Sequence, residues 1–193
     1  MHNVRRRSRG FSLLELLVVL FVVIMITSLA SLNVGSGNQE LQLEAQLRDL
    51  RNVALFALDE AQLSGRDIGL LLLIERRDGE TVYGYDWRER RPEGWRRPLA
   101  ASDVFAQRRL PAEVRLSLAL ENMPGIEPEP APVAEDVAPQ VIFYASGEVV
   151  PGELEVRRRE NDELLWLLQW DLLGRMELLP KGLPAGEGRD GRL

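Results

Sequence analysis

The sequence predicts an α+β fold in which one long N-terminal helix packs on antiparallel β-sheets. Three observations carry that reading. Residues 11–32 form an apolar run broken by a single charge, Glu15. Further on, Leu43, Leu47, Leu50, Ala54, Leu58 and Ala61 recur at steps of 4, 3, 4, 4 and 3, which is one stripe of a helix. Beyond Gly65 the apolar period falls to two and turn residues punctuate the chain, the pattern of short strands following a helix.

Arg5, Arg6, Arg7 and Arg9 make residues 1–10 a basic leader. A helix over residues 11–32 rises about 33 Å, enough to cross a hydrocarbon core of roughly 30 Å. Its apolar residues cover the whole circumference and not one stripe, which favours a membrane span over a buried soluble helix. The arginines hold the leader in the cytoplasm and send everything after Leu32 across the membrane. A secretory signal cut after Ser28-Leu29-Ala30 is the competing reading, but this apolar run is longer than such signals need and carries a carboxylate at its start.

That carboxylate calls for a partner, since a charge inside a membrane helix costs on the order of 3 kcal/mol. Cleavage between Gly10 and Phe11 would create one. The new α-amine on Phe11 would lie one helical turn from Glu15, and positions i and i+4 share a helix face. The first turn also places Glu15 at the positive end of the helix dipole.

Residues 33–64 read as an amphipathic continuation of the helix. Gly35 and Gly37 weaken it locally, Glu44 and Arg48 form an outward i,i+4 pair, and Ser64-Gly65 is the stop. Residues 65–181 read as a β-rich globular domain. Its strand candidates are Ile68 to Ile74 and Thr81 to Tyr85, joined by an Asp78-Gly79 turn, then Val114 to Leu120, Val141 to Tyr144, Glu153 to Arg157, Leu164 to Trp170 and Arg175 to Leu179. Ser146-Gly147, Asn161-Asp162 and Leu173-Gly174 mark turns between the later ones. Residues 121–140, with five prolines and five acidic side chains, read as an exposed mobile loop. Residues 182–193, with four glycines, read as a disordered tail, and residues 88–113 give no clear signal.

Composition removes most chemistry. The 193 residues include no Cys and one His, His2 at the N-terminus, so Ser-His-Asp and Cys-His catalysis and thiolate or imidazole zinc sites lack their parts. Lys181 follows no glycine-rich phosphate loop, which removes a Walker-type site. No spacing selects a catalytic carboxylate pair from the 30 acidic residues, so the chain reads as no enzyme and as needing no cofactor. The acidic loop (Glu127, Glu129, Glu135, Asp136) has oxygen ligands but no calcium-loop spacing, and no metal site is assigned. Arg88, Arg90, Arg91, Arg96 and Arg97 lie near Trp87 and Trp95, and Arg157, Arg158 and Arg159 form a second run. Together they raise a nucleic-acid surface. The net charge of −9 over residues 33–193 argues against it, and mixed-sign clusters of this kind read as solvated faces.

The run Arg9-Gly10-Phe11-Ser12-Leu13-Leu14-Glu15 ahead of an apolar stretch resembles the class III signal of type IV pilins and type II secretion pseudopilins. Ser12 stands where Thr is commoner. The segment from Gln140 through Phe143 to Ser146-Gly147-Glu148 resembles a signature of the GspH/FimT-like subgroup, in which an apolar strand ending in Phe enters a Ser-Gly-Glu turn. Residues 65–87 fit that subgroup more loosely. The resemblance implies a pilin-like fold, peptidase cleavage at Gly10/Phe11, N-methylation of Phe11 and an assembly role for Glu15.

The same resemblance implies a minor pseudopilin of the H type. Such a protein is a single-pass inner-membrane subunit with a periplasmic domain, in a complex that initiates and caps a pseudopilus exporting folded proteins. The partners implied are the prepilin peptidase, the I-, J- and K-type minor pseudopilins, the major pseudopilin, the inner-membrane assembly platform and membrane lipid. The alternative within the same resemblance is a minor pilin of a type IV pilus, serving adhesion, motility or DNA uptake.

Overall fold

The computed structural model describes residues 13–77, 79–99 and 103–183, and within the helix the side chains of 26–38 are excluded. One helix, α1 (Leu13–Ser64), is followed by eleven strands among the described residues. They are β1 (Ile68–Arg77), β2 (Glu80–Arg91), β3 (Gly94–Arg96), β4 (Arg108–Arg109), β5 (Val114–Leu120), β6 (Met123–Ile126), β7 (Glu129–Pro130), β8 (Val141–Phe143), β9 (Gly152–Arg158), β10 (Leu164–Trp170) and β11 (Met176–Pro180).

The chain divides into two units, residues 1–42 and 43–193. In the first, residues 13–25 are helical and exposed, and all but Glu15 are apolar. Among the described residues no helix is both long and apolar enough to cross a membrane. The expected span over 11–32 rests in part on residues 11, 12 and 26–32, which lie outside that set or whose side chains do. The backbone stays helical through Gly35 and Gly37, so α1 continues through the stretch that these glycines were expected to weaken.

In the second unit, the helical stripe foreseen from spacing is the inner face. Leu43, Leu47, Leu50, Ala54, Leu58 and Ala61 are all buried, while Arg48 bonds Glu44 on the outside at 2.6 Å. Each such leucine contributes roughly 1.5–3 kcal/mol on burial. The helix ends at Ser64 because Gly65 turns left-handed at φ 67° and Arg66 N–H returns to the Ala61 carbonyl at 3.2 Å.

Two sheets receive this stripe. The first has the order β3-β2-β1-β7, with β4 also on β2 and β8 also on β1. The second has the order β11-β10-β9-β5-β6. All seven strands expected from sequence are present, and the β1–β2 hairpin runs to Arg91, well past the expected end at Tyr85. Ile68, Leu70, Leu72, Tyr85 and Trp87 from the first sheet share one core with Leu116, Leu118, Leu154, Val156 and Leu168 from the second. Trp87 is its centre, 5.4 Å from the Phe105 ring and 6.1 Å from Phe143.

Residues 121–140 hold more regular structure than their composition suggests. β6 pairs with β5, and β7 runs parallel to β1 at Leu73 and Ile74. Between β7 and β8 the side chain of Gln140 stands in for a strand. Its Oε1 accepts from Leu72 N–H at 2.8 Å and its Nε2 donates to the Leu72 carbonyl at 3.3 Å. A Cβ on Gly69 would fall 2.1 Å from Pro139 Cγ, and one on Gly94 3.9 Å from Asp136 Cβ. Residues 131–140 thus run along the first sheet, with Asp136 near β3 and Pro139 and Gln140 on β1.

Candidate functional site

The leader site with Glu15, the signature turn and the arginine runs singled out in the sequence lie in different places. Gly10 and Phe11 lie outside the described residues. Glu15 sits exposed in the first turn of α1, where the helix dipole favours a negative charge.

The signature segment forms a tight turn at the C-terminal end of α1. Phe143 is buried and Val149 pairs back to it. Tyr144 N–H donates to the Glu148 carbonyl at 2.9 Å, and Gly147 N–H returns to Tyr144 at 2.9 Å. Gly147 takes φ 90°, and a Cβ there would lie 3.1 Å from the Gln62 side chain on α1. Ala145 N–H donates to Asp67 Oδ1 at 3.0 Å, so the turn is tied to the entry of β1 as well.

The arginine run is the principal correction to the sequence reading. A solvated cluster was expected, yet Arg88 is fully buried. It faces Asp86 on the outer side of β2, with Arg88 Nη1 donating to Asp86 Oδ2 at 2.6 Å. Arg97 reaches the same carboxylate at 3.1 Å. Arg90 stacks over Trp95 with its guanidinium 5.6 Å from the ring centroid. On the inner side of β2, Glu89 is held between Arg66 at 2.7 Å and Arg91 at 2.9 Å. Burial alone would push the Glu89 carboxyl up. Hydrogen bonds from both arginines, with their charges, outweigh it and hold the group below the usual carboxylate range.

In the second run, Arg157 bonds Glu155 at 2.8 Å, Arg158 lies 3.5 Å from Glu163, and Arg159 donates to the Thr81 carbonyl. These cations are committed to partners within the chain, which leaves little free positive surface for a phosphate backbone. Among the described residues no three acidic side chains converge on a point that could hold a metal ion, the acidic loop included.

A cleft of about 440 Å³ opens where α1 ends, between Glu60 and Ser64 on one side and Glu89 and Arg91 on the other. Phe105 and Ile68 line its apolar part. Phe105 and Leu99 fall in the stretch without periodic signal, so the cleft leaves no mark on the sequence.

The family model described as "Prokaryotic N-terminal methylation motif" matches residues 5–31, the stretch that holds Gly10, Phe11 and Glu15. Type II secretion system protein H of Pseudomonas aeruginosa is 31% identical over 158 residues, 80% of this chain and 86% of that protein. Type II secretion system protein H of Aeromonas hydrophila is 24% identical over 183 residues, 91% of this chain and 95% of that protein. The crystal structure of the minor pseudopilin EpsH from the type II secretion system of Vibrio cholerae shares the fold. Its TM-score is 0.59 at 22% identity, over 75% of this chain and 98% of that one. With a relative above 30% identity that is covered for most of its length, and with the pilin-like fold in place, the chain belongs to the type II secretion system protein H family of minor pseudopilins, structural subunits and not enzymes.

Proposed function

We propose that this minor pseudopilin is cut between Gly10 and Phe11 by a prepilin peptidase and N-methylated on Phe11. It is held in the bacterial inner membrane by residues 11–32, with its C-terminal domain in the periplasm. There it joins the I-, J- and K-type minor pseudopilins in a complex that initiates and caps the pseudopilus, in contact with the major pseudopilin, the assembly platform and membrane lipid. The match of residues 5–31 to the methylation motif carries the reading. The basic leader, the apolar run behind it and Glu15 in register with the new amine are what such processing requires. Family membership by itself implies pseudopilus partners and a prepilin peptidase.

In this account residues 33–64 lead from the membrane into the globular domain of residues 65–181, and Glu15 meets an N-terminal amine during assembly. The exposed apolar side chains of residues 13–25 suit a segment that lies in lipid first and against other helices later. Intact mass after co-expression with a prepilin peptidase tests the processing step. The expected product begins at Phe11 and carries one added methyl group. A product beginning at Ser31 overturns the reading, because a free domain cannot enter a membrane-anchored filament.

A further inference from the structure

The cleft at the end of α1 has no part in the processing and assembly steps above. We propose that it is a socket for a basic side chain presented by a neighbouring pseudopilin subunit. The inference rests on the assembly reading and adds a site to it.

The cleft's internal cations are already spent. Arg66 and Arg91 both close on Glu89, at 2.7 and 2.9 Å. Glu60 and Glu93, which line the same cleft, form no ion pair among the described residues. The end of α1 adds partial negative charge from its last carbonyls, and the last helical turn contains no basic residue to offset it. An incoming guanidinium or ammonium group would therefore meet two unneutralised carboxylates and a helix C-terminus together.

The apolar parts fit the stem of such a side chain. Phe105 lines the cleft and stacks against Phe56 at 5.6 Å, while Leu99 stands at the rim 78% exposed. Leu63, beside Ser64 on the helix, is 83% exposed. Long basic side chains bury their methylenes on surfaces of this kind while the charged head seeks acceptors. Arginine held within an apolar rim is also a frequent anchor at protein interfaces. A volume of about 440 Å³ admits one such side chain with the residues flanking it. A protein partner is favoured over a small solute because the exposed leucines extend the apolar surface beyond the cleft itself.

The test uses the full-length chain in cells expressing the complete secretion system, with a photo-cross-linking residue at Leu99. A second version places it at Leu41, an exposed position on α1 well before the cleft. Leu99 is expected to yield an adduct with another pseudopilin subunit, mapped by mass spectrometry next to a Lys or Arg of that partner. Combining Glu60→Gln with Glu93→Gln should cut this adduct on the order of tenfold while the Leu41 adduct persists. The socket is overturned if Leu99 gives no pseudopilin adduct while Leu41 does, if the double substitution leaves the Leu99 yield unchanged, or if both adducts fall together. If neither position cross-links to a pseudopilin, the assembly reading fails and the socket with it.

Discussion

Arg88 and Asp86 sit two residues apart on β2, joined at 2.6 Å, and both side chains are 2% exposed. Strand period places them on the same face, and both are shut from water there. Trp87, between them, points the opposite way into the main core. Removing Arg88 leaves the buried Asp86 carboxylate with Arg97, 3.1 Å away, as its one remaining cation among the described residues, so Arg88→Met should cost about 3 kcal/mol, the low end for breaking a buried pair. Combining it with Asp86→Leu should recover most of that loss. Urea unfolding of the full chain in detergent decides it: a double variant no more stable than the single would show that packing, not charge pairing, fixes this site.

Gly69 is required by close approach and not by its own backbone angle. A methyl group there would meet Pro139 Cγ at 2.1 Å and the Val141 carbonyl at 2.9 Å. Gly69→Ala should therefore destabilise by roughly 1–3 kcal/mol, the usual cost of overpacking. It should also loosen residues 127–140, where hydrogen exchange would rise ahead of global unfolding. Unchanged exchange in that segment would mean that Pro139 does not clamp it.

Glu89 gives the domain an acid-sensitive joint. Its carboxyl is held below the usual range when folded, so its stabilising effect is complete above the ordinary carboxylate pKa. That effect drains as pH falls through the lowered folded value. Unfolding followed from about pH 6 to about pH 3 should show Glu89→Gln with a shallower acid limb than the parent chain. At neutral pH the variant should be about 1–2 kcal/mol less stable, since Arg66 remains largely in water. Parallel curves would place the acid sensitivity elsewhere.

Much of this fold was legible because the core demands strict periodicity. Val114–Leu120 and Leu164–Trp170 were read to the residue, and the stripe from Leu43 to Ala61 is the buried face of α1. Gly79, Gly147 and Gly174 all take left-handed angles where turns were expected. β3, β4, β6 and β7 escaped, being two to four residues long and too short to show an alternation. Arg88 was misread for a different reason. A run of charges looks solvated in one dimension, whereas here strand period turns Arg88 and Asp86 to one buried face, where they pair. Of the candidate sites, the leader and Glu15 were visible as a register of residue types, whereas the cleft exists only once α1, β2 and the turn beyond it are folded together.

Glu15→Ala separates processing from assembly. Cleavage after Gly10 should proceed, since the variant keeps the leader, Gly10 and Phe11, while the amount of the chain recovered with sheared pseudopili should fall about tenfold or more. Uncleaved precursor accumulating instead would place Glu15 in peptidase recognition.

The most direct test of the whole account is deletion of the gene in its own host, complemented with the parent chain or with Glu15→Ala. Exoprotein secretion, twitching motility and DNA uptake are scored side by side. Secretion alone should be lost, the parent chain should restore it, and Glu15→Ala should not. Loss of motility or DNA uptake with secretion intact would contradict it and assign the subunit to a pilus.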